Sequence, residues 1–370
     1  MRHVRCFGIL LPGLLALLLA GCNDDHTTAS LPTAALQSML DAKVAASTAV
    51  PGAVLGVSRG RSTWIGAAGT ADTATHTAMQ PSMRFRIGSL TKQFTAALIL
   101  KLVDEGKLSL DDTVRKWLPD LALPNDDQIT VRMLLNHTSG VPNFTNATFW
   151  NTEGFTHPDR AWEPHELADR VKTESFTDPG TAFSYCNTGY VLAGMIAEAA
   201  AGQSIAQAMT TRFFIPLRMR DTVFAVDGNI TGAYAHGYLQ LPAGVAPVDV
   251  STWNPSYAWT AGSIISTAHD LLIWIDALFG GRVLSSSSLT AMLTPIAPAT
   301  EYGFGLGFKQ AVDGRNFVAH SGQIPGYFSL MAHHRESGLT IVVLTNREDI
   351  WQEPNDIVNP VYDAAVLLLP

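Results

Sequence analysis

Residues Ser89 to Gly106, SLTKQFTAALILKLVDEG, place the tightest limit on how this chain can fold. Phe94, Ala97, Leu98 and Leu102 recur at helical spacing, yet apolar residues occupy most faces of the helix instead of one stripe. A helix of that kind must be covered on more than one side, so the fold needs layers around it. Strand signals supply them. The runs Ala53 to Ser58 and Thr63 to Gly69, turned at Arg59-Gly60-Arg61, predict an antiparallel hairpin, and Asn316 to Ala319, Tyr327 to His334 and Leu339 to Leu344 predict three more strands. Helical spacing marks Ala34 to Ala46, stopped by Pro51-Gly52, and a tail from Asn355 to Leu368. Between Lys107 and about Ile264 the chain breaks into short helical pieces separated by Pro, Gly, Asn and Trp. The expected fold class is therefore α+β: one antiparallel sheet built from both ends of the chain, flanked by helices, with residues 31–106 and 265–370 in the sheet domain and 107–264 as an inserted all-helical domain.

The first residues carry an export pattern. Arg2 and Arg5 precede a leucine-rich run from Phe7 to Ala20, which ends in Leu19-Ala20-Gly21-Cys22. The run is short for a permanent membrane span, and small residues before a cysteine suit a lipoprotein signal peptidase. Residues 1–22 are expected to be a lipoprotein signal with Cys22 as the lipid anchor, and 23–30 a polar tether. The alternative is an ordinary secretory signal with Cys22 incidental; in either case the mature protein is expected to be exported. With Cys6 inside the signal and Cys22 lipidated, only Cys186 remains, so no disulfide framework is expected and Cys186 reads as a small buried hydrophobe. A formal net charge of -8 without basic runs leaves no footprint for nucleic acid. The expected partner is a small-molecule or peptide substrate, with the membrane engaged through the lipid alone.

Three short motifs follow in order: Ser89-Leu90-Thr91-Lys92, Tyr185-Cys186-Asn187 and His320-Ser321-Gly322. Each alone is weak, with a bland reading beside it: a helix-start serine and a solvated lysine, a core tyrosine opening a helix, a structural histidine at a strand end. Together they describe a chemistry. Three residues along a helix put Ser89 and Lys92 on one face, where a desolvated lysine near the positive helix end can take the serine proton. Tyr185 is a second candidate proton carrier: a phenol between cationic groups is stabilised as phenolate, and it is expected to act as base toward Ser89 or as acid toward the leaving group. Asn187 is expected to hold Lys92 and donate to the substrate amide. On the strand, Gly322 leaves room for a substrate main chain, His320 and Ser321 are expected to face the site, and the N–H groups of Ser89 and Gln323 are candidates for stabilising an oxyanion.

These motifs, with Arg84 to Leu110, Ile129 to Gly140, Pro179 to Gly189 and Tyr302 to Gly307, resemble the serine β-lactamases and penicillin-binding proteins over nearly the whole mature chain. The likeness is strongest to class C β-lactamases and D-alanyl-D-alanine carboxypeptidases. It implies a β-lactamase/transpeptidase-like fold and a serine hydrolase acting through an acyl-enzyme on Ser89, with Lys92 and Tyr185 catalytic, Asn187, His320, Ser321, Gly322 and Gln323 binding substrate, and no cofactor or metal. His320 resembles the carboxypeptidase side, since class C β-lactamases usually carry lysine there. Two departures concern the substrate carboxylate: Gln323 stands where a second threonine is expected, and the Gly307 to Gln310 segment offers Lys309 but no arginine. The same scaffold also hosts esterases and D-amino-acid amidases, and a penicillin-binding sensor without turnover has the same motifs.

An ordinary imidazole titrates near pH ~6.5, so a cationic role for His320 implies activity that depends on pH there. Other chemistries find less support. His76, His236, His269 and His333-His334 form no helical zinc motif with a glutamate, and no Gly-x-Ser-x-Gly elbow occurs. Trp150, Trp162, Trp253 and Trp259 are candidates for a cleft wall, with one expected to serve and core packing the ordinary fate of the rest.

Overall fold

The computed structural model describes residues 30–47, 49–240, 246–348 and 357–369. The signal segment with Cys22 and nearly all of the tether lie outside the described residues.

The two ends of the chain do build one sheet. Its seven strands run, in spatial order, Thr77–Ala78, Ser62–Asp72, Gly52–Arg59, Leu339–Thr345, Tyr327–His334, Asn316–Ile324 and Gly307–Gln310, all antiparallel. The seam between the ends is the pairing of Gly52–Arg59 with Leu339–Thr345, in register Leu55 opposite Val343. These central strands read as unbroken apolar runs because both faces of the sheet are covered. Val54, Val342 and Leu344 join the cluster that contains the Ser89 helix. Leu55, Ile341 and Val343 face a second cluster under the helices Thr33–Ala46 and Val358–Leu368. The terminal helices thus cover one side, and the helix Ala268–Phe279 covers the other, in the same cluster as the Ser89 helix.

A 3-10 turn at Gly88–Leu90 leads into the helix Thr91–Asp104, in which Lys92 through Leu100 are buried without interruption. It packs against the helices Asn187–Ala201, Trp259–Gly262 and Ser286–Leu293, and Phe94 stacks on Trp274 with ring centroids 4.0 Å apart. This all-round cover is what its apolar faces require.

Residues 107–264 are not all-helical as expected. Two-residue strands lie at Val223–Phe224, Tyr238–Leu239 and Val248–Asp249, in small sheets with Phe85–Arg86, Ile264–Ser266 and Arg347–Glu348. Strands of two residues show no alternation in sequence, and their pairing partners are remote, so local pattern misses them. The strand carrying the third motif is also longer than expected, running to Ile324, and the last helix starts at Val358.

Removing the stacked ring is expected to leave a cavity between layers: Phe94→Ala should cost about 3–5 kcal/mol of stability, read as a lowered midpoint in urea unfolding. A loss under about 1 kcal/mol would mean that this layer is not packed as described.

Candidate active site

Gly88 sets the geometry around Ser89. Its φ is +52°, a region that favours glycine, and a Cβ there would stand 2.7 Å from the backbone nitrogen of Gln323. Without a side chain, the turn bearing Ser89 lies directly against the strand bearing Gln323. Gly322 has a parallel reason, since a Cβ on it would meet the Ile87 carbonyl oxygen at 2.0 Å.

Lys92 is fully buried and its Nζ is 3.0 Å from Ser89 Oγ, 2.7 Å from Asn187 Oδ1 and 2.9 Å from the Ala261 carbonyl oxygen. Burying an ammonium costs on the order of several kcal/mol unless an opposite charge offsets it. Here the hydrogen-bond partners are three neutral oxygens, and burial holds the amine well below its ordinary pKa. The neutral amine has two N–H groups and one lone pair. Asn187 Oδ1 and the Ala261 carbonyl can only accept, so they take the two hydrogens and the lone pair is left for the Ser89 hydroxyl. That is the arrangement of a general base and its nucleophile.

Tyr185 differs from its expected phenolate state. Burial of its hydroxyl pushes its pKa up, only partly opposed by a hydrogen bond with Ser89, while the residue's outer side stays open at 37% exposure. The phenol remains protonated and can donate. Lys92 lies 4.8 Å from the Tyr185 ring centroid, but as a neutral amine it offers no charge to stabilise a phenolate. Asn187 holds Lys92 as expected; its Nδ2, however, donates to Thr145 Oγ1 at 2.8 Å, so its amide hydrogens are not all available to a substrate. Cys186 is buried, and its sulfur accepts from Gly189 N at 3.3 Å, capping the helix that starts at Asn187.

The third motif divides. In the strand register His320 and Gly322 stand opposite Met331 and Ser329, while Ser321 and Gln323 stand opposite Leu330 and Phe328. Side chains alternate along a strand, so His320 and Ser321 point to opposite faces and do not both face the site. Nor is His320 a cation. Its Nε2 is 2.8 Å from the Tyr302 hydroxyl and its Nδ1 contacts the Ser321 carbonyl oxygen. The carbonyl accepts from Nδ1–H and the Tyr302 hydroxyl donates to Nε2, which satisfies one neutral tautomer. Burial lowers the imidazole to about 3. Its ring centroid is 6.2 Å from that of Tyr185.

A cleft of about 210 Å3 opens on Ser89. Tyr185, Asn187 and Thr145 line one part, Trp150 and Tyr257 form an aromatic wall, and Gln323 to Pro325 complete it. No charged side chain among the described residues lines this cleft. Among the described residues no strand pairs with the motif strand beyond Ala319 on the side away from Tyr327–His334, which suits the addition of an extended ligand. Of the four tryptophans only Trp150 lines the cleft; Trp162 and Trp259 are buried in the core and Trp253 is half-buried against Phe155. Sequence reasoning missed Thr145, Tyr257, Tyr302 and His137. The His137-Thr138-Ser139-Gly140 run and the aromatic content of Tyr302 to Gly307 were the available signals, but neither carries a nucleophile with a base at helical spacing.

Residues 38–358 match the family described as Beta-lactamase. The chain is 31% identical over 317 residues to penicillin-binding protein 4 of Amycolatopsis lactamdurans, covering 80% of this chain and 81% of that one. It is 29% identical over 312 residues to the D-aminopeptidase of Brucella ovis, covering 80% of this chain but 56% of the relative; a penicillin-binding relative from Bacillus subtilis is likewise spanned over 61% of its length. Among solved structures, a D-stereospecific amidohydrolase from Streptomyces sp. superimposes with a TM-score of 0.80 at 33% identity, over 90% of this chain and 98% of that one.

A histidine lowered to about 3 has lost its proton throughout the working range, so it adds no titration between pH 5 and 8. The acid limb of the kcat/KM profile should therefore keep its midpoint in His320→Gln, within about 0.3 pH units. A midpoint near pH ~6.5 that vanishes in the variant would restore a cationic His320.

Proposed function

Because the chain belongs to the beta-lactamase family of serine hydrolases, we propose that it cleaves amides or esters of D-amino acids through an acyl-enzyme on Ser89, preferring leaving groups without a carboxylate. The observation that carries this reading is the uncharged cleft. A D-alanyl-D-alanine peptide or a β-lactam presents a carboxylate, which needs a cation or several strong donors to leave water. Lys92 is buried and held neutral, and His320 is neutral as well. A carboxypeptidase-like preference, first implied by the histidine in the third motif, therefore has less support than the amidase alternative. The likeness to the D-stereospecific amidohydrolase and the D-aminopeptidase supports the D-configuration. Trp150 and Tyr257 suit an apolar or cationic acyl group, since ring faces accept both.

In this reading Lys92 takes the proton as Ser89 Oγ attacks the carbonyl carbon. The backbone N–H groups of Ser89 and Gln323, brought together by Gly88, hold the oxyanion. Tyr185 donates a proton to the departing nitrogen or oxygen, and the proton that Lys92 took from Ser89 replaces it. Water then attacks the ester with the same groups in reverse, releasing the D-acid.

D-phenylalanine amide is expected to exceed diacetyl-lysyl-D-alanyl-D-alanine in kcat/KM by about tenfold or more, a difference of about 1.4 kcal/mol in transition-state binding. Ser89→Ala should abolish both activities and any acyl adduct seen by intact mass. Faster turnover of the carboxylate peptide would overturn the substrate assignment while leaving the nucleophile in place.

The export pattern before Cys22 supports a further part of the proposal, a periplasm-facing, lipid-anchored protein of the cell envelope. Cys22→Ala should move the protein from the membrane pellet to the soluble fraction; an unchanged distribution would count against the anchor.

A further inference from the structure

Several buried groups at the site take no part in the mechanism, and His137 is one of them. His137, 1% exposed, follows the helix Val131–Leu135 and adopts φ +62°. A non-glycine residue in that region costs on the order of 1 kcal/mol and persists where surroundings over-determine it. The surroundings here are the residues on either side of Tyr185. The His137 carbonyl oxygen accepts from Ser184 N, and its Nδ1 accepts from Cys186 N at 3.1 Å. Its ring lies against the Tyr185 ring, centroids 4.3 Å apart, and against Tyr190 and Tyr302 at 5.2 and 4.8 Å. Nδ1 is thus an acceptor, Nε2 carries the hydrogen, and Nε2 is buried among aromatic rings without a hydrogen-bond partner.

We propose that His137 is the positioning residue for Tyr185: it grips the main chain on both sides of that tyrosine and backs its ring, so that the phenol stays in contact with Ser89. The inference rests on the acyl-enzyme reading of the site. The left-handed backbone serves it directly, because one residue can present its carbonyl and its ring nitrogen to two amides flanking a single side chain only if its main chain and side chain turn to the same strand of chain. His137 itself moves no proton in this account. Nδ1 is occupied by an amide hydrogen, and burial keeps the ring neutral.

The test is a kinetic double-mutant cycle on the whole protein, with D-phenylalanine amide as probe. His137→Gly removes the ring, relieves the backbone and keeps the carbonyl. It should lower kcat about 10–100-fold with KM changed less than about threefold, the range expected for a misplaced proton carrier. Tyr185→Phe should be impaired at least as much, and the double variant should be no worse than Tyr185→Phe alone. His137→Asn, which tolerates the left-handed backbone and offers an acceptor to Cys186 N, should recover most of the rate. Should His137→Gly fail to fold, His137→Leu, of similar volume but without an acceptor, takes its place in the cycle. Losses that multiply in the double variant, or a His137→Gly enzyme with wild-type kcat beside an impaired Tyr185→Phe, would overturn the role of His137 alone. A fully active Tyr185→Phe would instead overturn the site reading on which it rests.

Discussion

The burial of the Lys92 amine among three neutral oxygens is the constraint on which the rest of the site depends. An amine in water would be charged at neutral pH and useless as a base toward a hydroxyl. Here it is enclosed by the helices Asn187–Ala201 and Trp259–Gly262, and two of its three neighbours, Asn187 Oδ1 and the Ala261 carbonyl, can only accept. Their demand for hydrogens directs the remaining lone pair toward Ser89. The enclosure requires a helix covered on every side, which is why the segment from Ser89 to Gly106 is apolar on faces that an ordinary surface helix would leave polar.

Neutrality spreads outward from that choice. Around Lys92 stand Tyr185, Tyr190, Tyr302, His137 and His320, whose rings pack on one another and whose pKa values all move in the direction that removes charge. In such a box each proton has a definite place: on the Tyr185 hydroxyl toward Ser89, on the Tyr302 hydroxyl toward His320 Nε2, on the Tyr190 hydroxyl toward the Leu135 carbonyl. A charge placed there without a partner would cost more than the hydrogen bonds return. The cleft that opens onto this box is accordingly uncharged, and selection among substrates falls to shape, to aromatic faces and to the open strand edge.

Much of this was legible before any coordinates. The order of strand and helix signals predicts a sheet made by both termini, and the pairing of Gly52–Arg59 with Leu339–Thr345 is that prediction realised. Ser89 and Lys92 at helical spacing, with Tyr185 and Asn187 beyond, meet as their types suggested, because one turn of helix fixes the first pair and a helix start fixes the second. The short strands within 107–264 were not legible, since two residues carry no period. His137 lies in the segment Ile129 to Gly140, but what it touches depends on lying beside Ser184 and Cys186, residues nearly fifty positions away, and nothing local announces that contact.

Sequence alone therefore determined the fold class, the placing of Ser89 beside Lys92, and the family resemblance, because these rest on periodicity and on residue types at short spacing. Only the tertiary structure decided protonation and direction: that Lys92, Tyr185 and His320 are all held neutral by burial, and that His320 and Ser321 part to opposite faces. Proton affinity is set by what surrounds a group in three dimensions, and facing is set by register against a partner strand. Neither quantity is written in the residue itself.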